Sequence, residues 1–184
     1  MRRLLCLIVL LALPGLAGAQ SSDYIRYFPA QASGSVTTIQ TNSTAVPTSG
    51  TLIEVLHTLT LPANSLANVG DFIDINSTLV VAANGNTKIA NIRLTDTGGT
   101  VLSNISTTSS GISISEIVRC TRTGASTMLC IGAVTSTAVI AWTTATVAVT
   151  GQDFTAPIVF VVVGTTATSA GDLTATASKL TLTK

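Results

Sequence analysis

Charged residues are scarce in this chain. They make up 9% of its 184 residues, against about a quarter in an average soluble domain. Basic and acidic residues number nine and eight, and the basic ones are scattered, which excludes the concentrated positive patch of a nucleic-acid-binding protein. Hydrophobic residues nevertheless make up 46% of the chain, too many for a disordered one. We therefore expect a folded protein that does not bind nucleic acid.

The residue types that carry catalysis and metal binding are also few. The chain has one histidine, His57, and three cysteines, and it contains no CxxC motif. It has no Gly-rich phosphate loop and no Ser/His/Asp set in a recognisable motif. We predict that the protein is not an enzyme, that it holds no cofactor or metal, and that His57 is a packed, hydrogen-bonded core group.

Aromatic residues make up only 4% of the chain, and Thr, Ser, Val and Ala dominate. β-branched residues favour strands over helices, and 184 residues suffice for one domain with a substantial core. Turn signals at intervals of about 8–12 residues are typical of a sandwich or jelly roll. We predict an all-β fold, an antiparallel, jelly-roll-like β-sandwich of eight or nine strands, in residues 51–184.

The N-terminus has the pattern of a secretory signal peptide. Arg2 and Arg3 precede an apolar run at 4–13, and Ala-Gly-Ala at 17–19 supplies the small residues of a cleavage site. The run is shorter than the roughly 20 apolar residues that cross a bilayer. We predict a signal-peptide-like segment at 1–19 and no membrane span in the mature chain. The alternative is an uncleaved apolar anchor buried in an assembly.

Residues 20–50 are expected to form an extended N-terminal arm with at most one strand, near residues 36–40. Tyr24, Tyr27 and Phe28 lie close together in it. Exposed aromatic residues suit an interface, so these three are a candidate docking patch for a partner. The other interpretation is a strap that packs on its own domain, as aromatic residues near termini commonly do.

Asn84-Gly85 is a strong signal for a β-hairpin, because both residues tolerate the positive φ of a type I′ turn. Apolar and polar residues alternate on both sides of it. The expected register sets Val81 opposite Lys88 and Leu79 opposite Ala90. The core predicted from this alternation and from the preceding strand consists of Ile53, Val55, Ile73, Ile75, Leu79, Ile92 and Leu94.

A second hairpin is predicted around residues 124–126. With Thr123 opposite Thr127, Cys120 falls directly opposite Cys130. Cross-strand Cβ atoms lie about 4.5–5.5 Å apart, close enough for a disulfide after modest adjustment. We predict a Cys120–Cys130 disulfide in an oxidising compartment. Two free buried thiols are the alternative.

Residues 158–163, Ile-Val-Phe-Val-Val-Val, are apolar without interruption. Such a strand is expected to be buried on both faces or covered at an interface. A soluble monomer also needs a charged surface, with about a quarter to a third charged residues. We therefore expect a homo-oligomer, most simply a trimer. The alternative is that residues 20–50 fold back over this strand and leave a monomer.

The chain from about Thr51 to its C-terminus resembles a recurrent domain of tailed-phage structural proteins. The matching elements are Leu-Thr-Leu-Pro-Ala-Asn-Ser-Leu at 59–66, Gly70-Asp71, Ala-Ala-Asn-Gly-Asn-Thr-Lys at 82–88, Ile-Arg-Leu at 92–94 and Val-Thr-Gly-Gln at 149–152. The resemblance implies a jelly-roll-like virion domain found in appendages, often trimeric, without catalytic residues to carry over.

Two functions are therefore expected. The first is a non-enzymatic virion structural protein, such as a head decoration, fibre or tail-appendage module, which binds other virion proteins or a host surface. The second is a secreted bacterial surface module for adhesion or carbohydrate binding. The expected location is the virion, or outside the cell if residues 1–19 are cleaved.

Overall fold

Eleven β-strands and no helix make up the part of the chain that the computed structural model describes, namely residues 34–137, 145–166 and 169–184. The strands are β1 Val36–Asn42, β2 Val46–Pro47, β3 Glu54–Leu61, β4 Phe72–Val81, β5 Lys88–Leu94, β6 Val101–Thr107, β7 Ser113–Arg122, β8 Thr127–Ser136, β9 Ala145–Thr150, β10 Ile158–Thr166 and β11 Leu173–Thr183. No helix in these ranges is long and apolar enough to cross a bilayer. Tyr24, Tyr27, Phe28 and the signal-peptide-like segment lie outside the described residues.

The strands form two antiparallel sheets, one with the order β1-β11-β4-β7-β8-β9, to which β2 adds beside β11, and one with the order β3-β10-β5-β6. The chain crosses from sheet to sheet between β3, β4 and β5, and again between β9, β10 and β11. Two interleaved four-strand sets, β1-β11-β4-β7 and β3-β10-β5-β6, have the order of a jelly roll. The meander β8-β9 widens the first set. The predicted all-β antiparallel sandwich is confirmed, with eleven strands in place of eight or nine.

The predicted hairpin at Asn84-Gly85 is wrong. β4 pairs with β11 and β7, whereas β5 pairs with β10 and β6 in the other sheet. Neither Asn84 nor Gly85 has the positive φ that a type I′ turn requires. The alternation identified the inward faces of both strands correctly. These two apolar faces pack against each other across the core, from opposite sheets, instead of lying side by side in one sheet.

Most of the predicted core is buried, but Ile53 and Val55 are 37% and 41% exposed. The cause is a bulge in β3: His57 pairs with Val162 and Val55 with Val163, so Leu56 has no partner opposite it. An extra residue shifts the alternation by one position, and Leu56 and His57 are both buried. The prediction that His57 is a packed core group is confirmed. The predicted core residues that are buried are Ile73, Ile75, Leu79, Ile92 and Leu94.

The apolar strand β10 lies between β3 and β5. Phe160 and Val162 belong to the core between the sheets, and Val161 and Val163, on the outward face, are only 3% and 1% exposed. The prediction that this strand is buried on both faces is confirmed. Since that burial is achieved within one chain, the apolar run supplies no free surface for a trimer.

Residues 34–50 contribute two strands to the larger sheet, where the sequence predicted at most one. β1 pairs with the C-terminal strand β11 along most of its length, and β2 pairs with the start of the same strand. The part of the expected arm that the structure describes is therefore the edge of the sandwich.

Candidate functional site

The predicted cysteine pair lies in the core between β7 and β8. Cys120 is directly opposite Cys130, the Sγ atoms are bonded at 2.02 Å, and both residues are fully buried. The backbone N–H of Thr123 donates to the carbonyl of Thr127 at 2.9 Å, which is the predicted turn register. The pair ties a hairpin and offers no binding surface. Its formation in the exported protein stays a prediction.

A groove of about 610 Å³ lies between three loops at one end of the sandwich. The loops join β3 to β4, β7 to β8, and β9 to β10. We call it the loop groove. Its lining residues are Asn64, Leu66, Ala67, Arg122, Ala125, Ser126, Gly151, Gln152, Asp153, Phe154 and Thr155.

Backbone conformation and hydrogen bonds fix the β3–β4 loop to its neighbours. Pro62 follows the last residue of β3, and Asn64 adopts a left-handed φ of 60°, a conformation that asparagine tolerates. The Asn64 N–H donates to the carbonyl of Phe154 at 2.9 Å. Gly70, at a φ of 98°, donates to the carbonyl of Arg122 at 2.9 Å. These contacts make the loop a rigid wall of the groove.

The β9–β10 loop is fixed in the same way. The Gln152 N–H donates to the carbonyl of Ser126 at 2.9 Å, which joins this loop to the β7–β8 turn. Asp153 Oδ1 accepts from the Thr155 hydroxyl at 2.6 Å and from the Thr155 N–H at 2.8 Å. These two hydrogen bonds lower the pKa of Asp153. Its carboxylate is therefore charged and exposed at neutral pH.

Arg122 connects all three loops. Its guanidinium donates to the carbonyls of Leu66, Ala67, Gly124 and Ala125 at 2.6, 2.7, 2.9 and 3.4 Å. It also lies over the ring of Phe154, from the third loop, at 4.5 Å from the centroid. No carboxylate of the described residues is within ion-pair distance of it. Backbone dipoles and the aromatic face therefore balance this positive charge.

The groove is equipped for binding rather than for proton transfer. Its uncharged polar side chains are amides and hydroxyls, which donate and accept hydrogen bonds without titrating near neutral pH. Of the described residues, no group of three or more His, Cys, Asp or Glu could hold a metal ion. Sequence reasoning missed the groove, because its loops are far apart in the chain. The only local signals were the turn residues themselves.

The single histidine does meet a serine, but inside the core. His57 Nδ1 lies 2.7 Å from Ser178 Oγ, and Nε2 lies 2.8 Å from the carbonyl of Thr44. Because a carbonyl only accepts, Nε2 carries a hydrogen, and in the neutral ring Nδ1 then accepts from the serine hydroxyl. His57 and Ser178 are 5% and 1% exposed. The pair is buried away from any substrate, so we interpret it as structural.

A polar cluster lies at the opposite end of β4 from the groove. Asp172 accepts from the side-chain amides of Asn84 and Asn86 at 2.6 and 2.7 Å. The Lys88 Nζ donates to the carbonyl of Asn84 at 2.6 Å, and Lys88 is fully buried. Hydrogen bonds from Asn86 and Asn84, with the charge of Lys88, lower the pKa of Asp172. We call these four residues the lysine cluster; they come from Ala-Ala-Asn-Gly-Asn-Thr-Lys and the β10–β11 loop.

No family model matches the chain, and no curated protein matches it. The chain is similar to solved structures that include the following three. The CBM2 module of the evolved Dit of Lactobacillus casei BL23 phage J-1 is 11% identical with a TM-score of 0.37, and the match covers 68% of each chain. VP2 in the subviral particle of infectious bursal disease virus is 18% identical with a TM-score of 0.33, and the match covers 82% of this chain and 32% of VP2. A protein of unknown function from Shewanella oneidensis MR-1 is 9% identical with a TM-score of 0.39, and the match covers 94% of this chain and 97% of that protein. The chain thus spans about a third of VP2. Likenesses of this size identify no function.

Proposed function

We propose that this protein is a non-enzymatic structural protein of a virion, a head decoration, fibre or tail-appendage module. It acts by assembling with itself and by binding another virion protein or a host surface. The observation that carries the proposal is the loop groove: a fixed binding surface at one end of a jelly roll. Viral capsid and lectin domains use jelly rolls, but this support is an analogy of fold.

The composition supports a protein that is covered by neighbours. With 9% charged residues, the chain has much less charge than a freely soluble monomer of its size needs. Surfaces that stay buried in an assembly do not need that charge, because permanent interfaces resemble a domain core. The number of copies expected from the sequence is three.

The resemblance of residues 59–94 to phage structural proteins adds a second line of support. The motif at 82–88 contributes three of the four residues of the lysine cluster, and the motifs at 59–66 and 149–152 contribute lining residues of the loop groove, among them Leu66 and Gln152. The motif residues therefore contribute to the fold and to two walls of the candidate site. This is the pattern expected of a family whose members share a scaffold and differ in what they bind.

The test is to look for the protein in purified particles. Virions from cells that express this chain are banded by density and digested, and the peptides of this chain are quantified against those of the other particle proteins. We expect a constant ratio across the band, with no loss after a high-salt wash. Peptides found only in the fraction free of particles would refute the virion assignment.

A secreted module for adhesion or carbohydrate binding is the second candidate. It is favoured by the side chains of the loop groove, since Asn64, Ser126, Gln152 and Thr155 offer the hydrogen bonds that sugar hydroxyls need. Binding of neutral oligosaccharides, measured by calorimetry, would support this candidate if Gln152→Ala weakens it and Thr176→Ala, outside the groove, does not. A protein that binds no oligosaccharide of the source organism's hosts would exclude it.

A further inference from the structure

Apart from the two-residue β2, the described part of the sandwich has four strands at sheet edges: β1 and β9 in the larger sheet, β3 and β6 in the smaller one. An edge strand carries N–H and C=O groups that no neighbour strand satisfies, so proteins protect such edges or use them for pairing. The protection differs among these four strands.

The edge of β3 is occupied by side chains of β1. Gln40 Nε2 and Asn42 Nδ2 donate to the carbonyl of Thr58 at 3.0 and 2.9 Å, and the Thr60 N–H donates to Gln40 Oε1 at 2.8 Å. The two amides replace the hydrogen bonds of a neighbouring strand. An incoming strand cannot pair here without displacing them.

The edges of β1 and β6 are interrupted in other ways. The register of β1 against β11 shifts between Thr38 and Gln40, which is a bulge, and bulged edges pair poorly. β6 carries a bulge as well, at Leu102. Its backbone lies so close to β8 that a Cβ at Gly132 would collide with the carbonyl oxygen of Leu102.

β9 has none of these protections in the described part of the chain. Its six residues, Ala-Thr-Val-Ala-Val-Thr, include no charge and no proline. They pair with β8 in an unbroken register, and β9 is the last strand of its sheet. The larger sheet runs through six strands against four in the smaller one, and β6, the edge strand of the smaller sheet, packs on β8 and β9.

We propose that β9 pairs antiparallel with β9 of a second copy of this chain, about a twofold axis. Where a strand meets its own copy across such an axis, the residues near the axis lie close to the same residues of the partner, so a charge there would meet a like charge. β9 carries no charged residue, so this repulsion does not arise. Leu129, 36% exposed, lies beside the exposed Ala148 on the outward face, which extends the contact by apolar side chains.

The proposal rests on the self-assembly part of the proposed function but not on the virion assignment. Facing residues of an antiparallel pair lie on the same face of the sheet. The axis therefore passes through a residue near the middle of the strand, Val147 or Ala148. Ala148 then faces either itself or Thr146 of the partner. This contact gives a dimer in place of the trimer expected from the sequence, because β9 of a third copy would have no partner strand. A larger assembly would need a second interface between such dimers.

The experiment compares two lysine substitutions at exposed alanines of the same sheet, Ala148→Lys on β9 and Ala177→Lys on β11. Light scattering on the full chain at a concentration on the order of 10 μM should give twice the chain mass for the natural protein and for Ala177→Lys. Ala148→Lys should raise the dissociation constant of the dimer roughly tenfold or more, because the two ammonium groups are directly opposite or diagonal neighbours across the axis.

Cysteine pairing gives a second measurement that does not depend on Ala148→Lys folding normally. In a Cys6→Ser background, oxidised Ala148→Cys should form a crosslinked dimer by itself or when mixed with Thr146→Cys, whereas Thr60→Cys at the protected edge should not. A monomer at this concentration overturns the proposal. An oligomer whose mass Ala148→Lys leaves unchanged, together with absent crosslinks at β9, also overturns it. In both cases the virion assignment would still be decided separately, by whether the protein is found in purified particles.

Discussion

The two ends of the sandwich each hold one cation with backbone carbonyls, and they treat it differently. At the lysine cluster, Lys88 is fully buried and the nearby Asp172 is 3% exposed. At the loop groove, Arg122 is half-buried, its only charged neighbour along the groove is the exposed Asp153, and an open volume of about 610 Å³ remains. The lysine cluster therefore buries its charged groups, whereas the loop groove exposes its polar groups to solvent.

This difference indicates where the molecule is specialised for stability and where for contact. Buried charged groups must be satisfied by their surroundings, since removing them from water is costly. The lysine cluster meets that requirement with three hydrogen bonds to its two charged groups, Lys88 and Asp172. The loop groove leaves amides and hydroxyls unoccupied toward solvent, as a binding surface must. Substitutions at the two ends should therefore have different consequences.

The largest expected effect comes from a buried acid that belongs to neither end. Glu116 on β7 is fully buried, its Oε2 is 3.4 Å from the hydroxyl of Ser103, and its Oε1 has no partner among the described residues. Burial raises its pKa from 4.5 to about 8. Between these two values the unfolded chain loses the proton and the folded chain keeps it. Stability should fall by about 1.4 kcal/mol per pH unit, roughly 5 kcal/mol in total.

Urea unfolding from pH 5 to pH 9, with Glu116→Gln as the matched variant, measures this effect. Glutamine keeps the shape of the side chain and does not ionise. The free energy of unfolding of this variant should therefore decrease much less above pH 5 than that of the natural protein. The acidic groups with lowered pKa, such as Asp172 and Asp153, act only at lower pH, where stability is lost as they are protonated. Parallel curves for the two proteins would show that Glu116 is not the source.

Lys88→Met tests the enclosed end. Methionine fills a similar volume but leaves the carbonyl of Asn84 without its donor and the carboxylate of Asp172 without a nearby positive charge. Breaking a buried charged set by removing one member costs about 3–5 kcal/mol. Lys179→Met, at an exposed site of β11, should stay within about 0.5 kcal/mol of the natural protein. Equal unfolding free energies for both variants would mean that the lysine cluster does not stabilise the fold.

Reduction of the Cys120–Cys130 bond is expected to cost less. The bond closes a short loop, with a sequence separation of 10, and constraining such a loop in the unfolded chain is worth about 3 kcal/mol. Protein exported by its host and alkylated under denaturing conditions should gain no alkyl group at these cysteines before reduction. Two groups added without reductant would contradict the prediction. The loss of stability follows from unfolding curves with and without reductant.

The faces of the strands could be predicted from the sequence better than their partners. Alternation correctly identified Ile73, Ile75 and Leu79 as buried, since a period of two states which side of a strand is apolar. The same alternation is compatible with pairing β4 to β5 or with opposing them across the core. Only the strand order of the whole sandwich decides between these arrangements. The alternation also could not predict the bulge at Leu56. The bulge depends on how β3 pairs with Val162 and Val163, which are far away in the sequence.

The candidate site divides in the same way. Cys120 and Cys130 could be placed opposite each other, because one short turn sets their register. Arg122 lies in that same hairpin, but its partners at Leu66 and Phe154 come from other loops. Nothing local marks an arginine as the centre of a groove. Residues whose role depends on several distant segments are therefore the ones that single-sequence reasoning misses.

Arg122→Lys should have the smallest effect on stability and the most local one. An ammonium group cannot reach four carbonyls in different directions as a guanidinium does, so we expect a loss of about 1–2 kcal/mol. The backbone amides of residues 62–71 should exchange hydrogen faster, while those of residues 82–87 at the other end should not change. Arg119→Lys is the matched control, since Arg119 lies on the same strand over the ring of Phe72 at 4.3 Å, as Arg122 lies over Phe154. If Arg119→Lys loosened the amides of residues 62–71 as much as Arg122→Lys, the loops of the groove would not depend on Arg122, and the contrast between the two ends would fail.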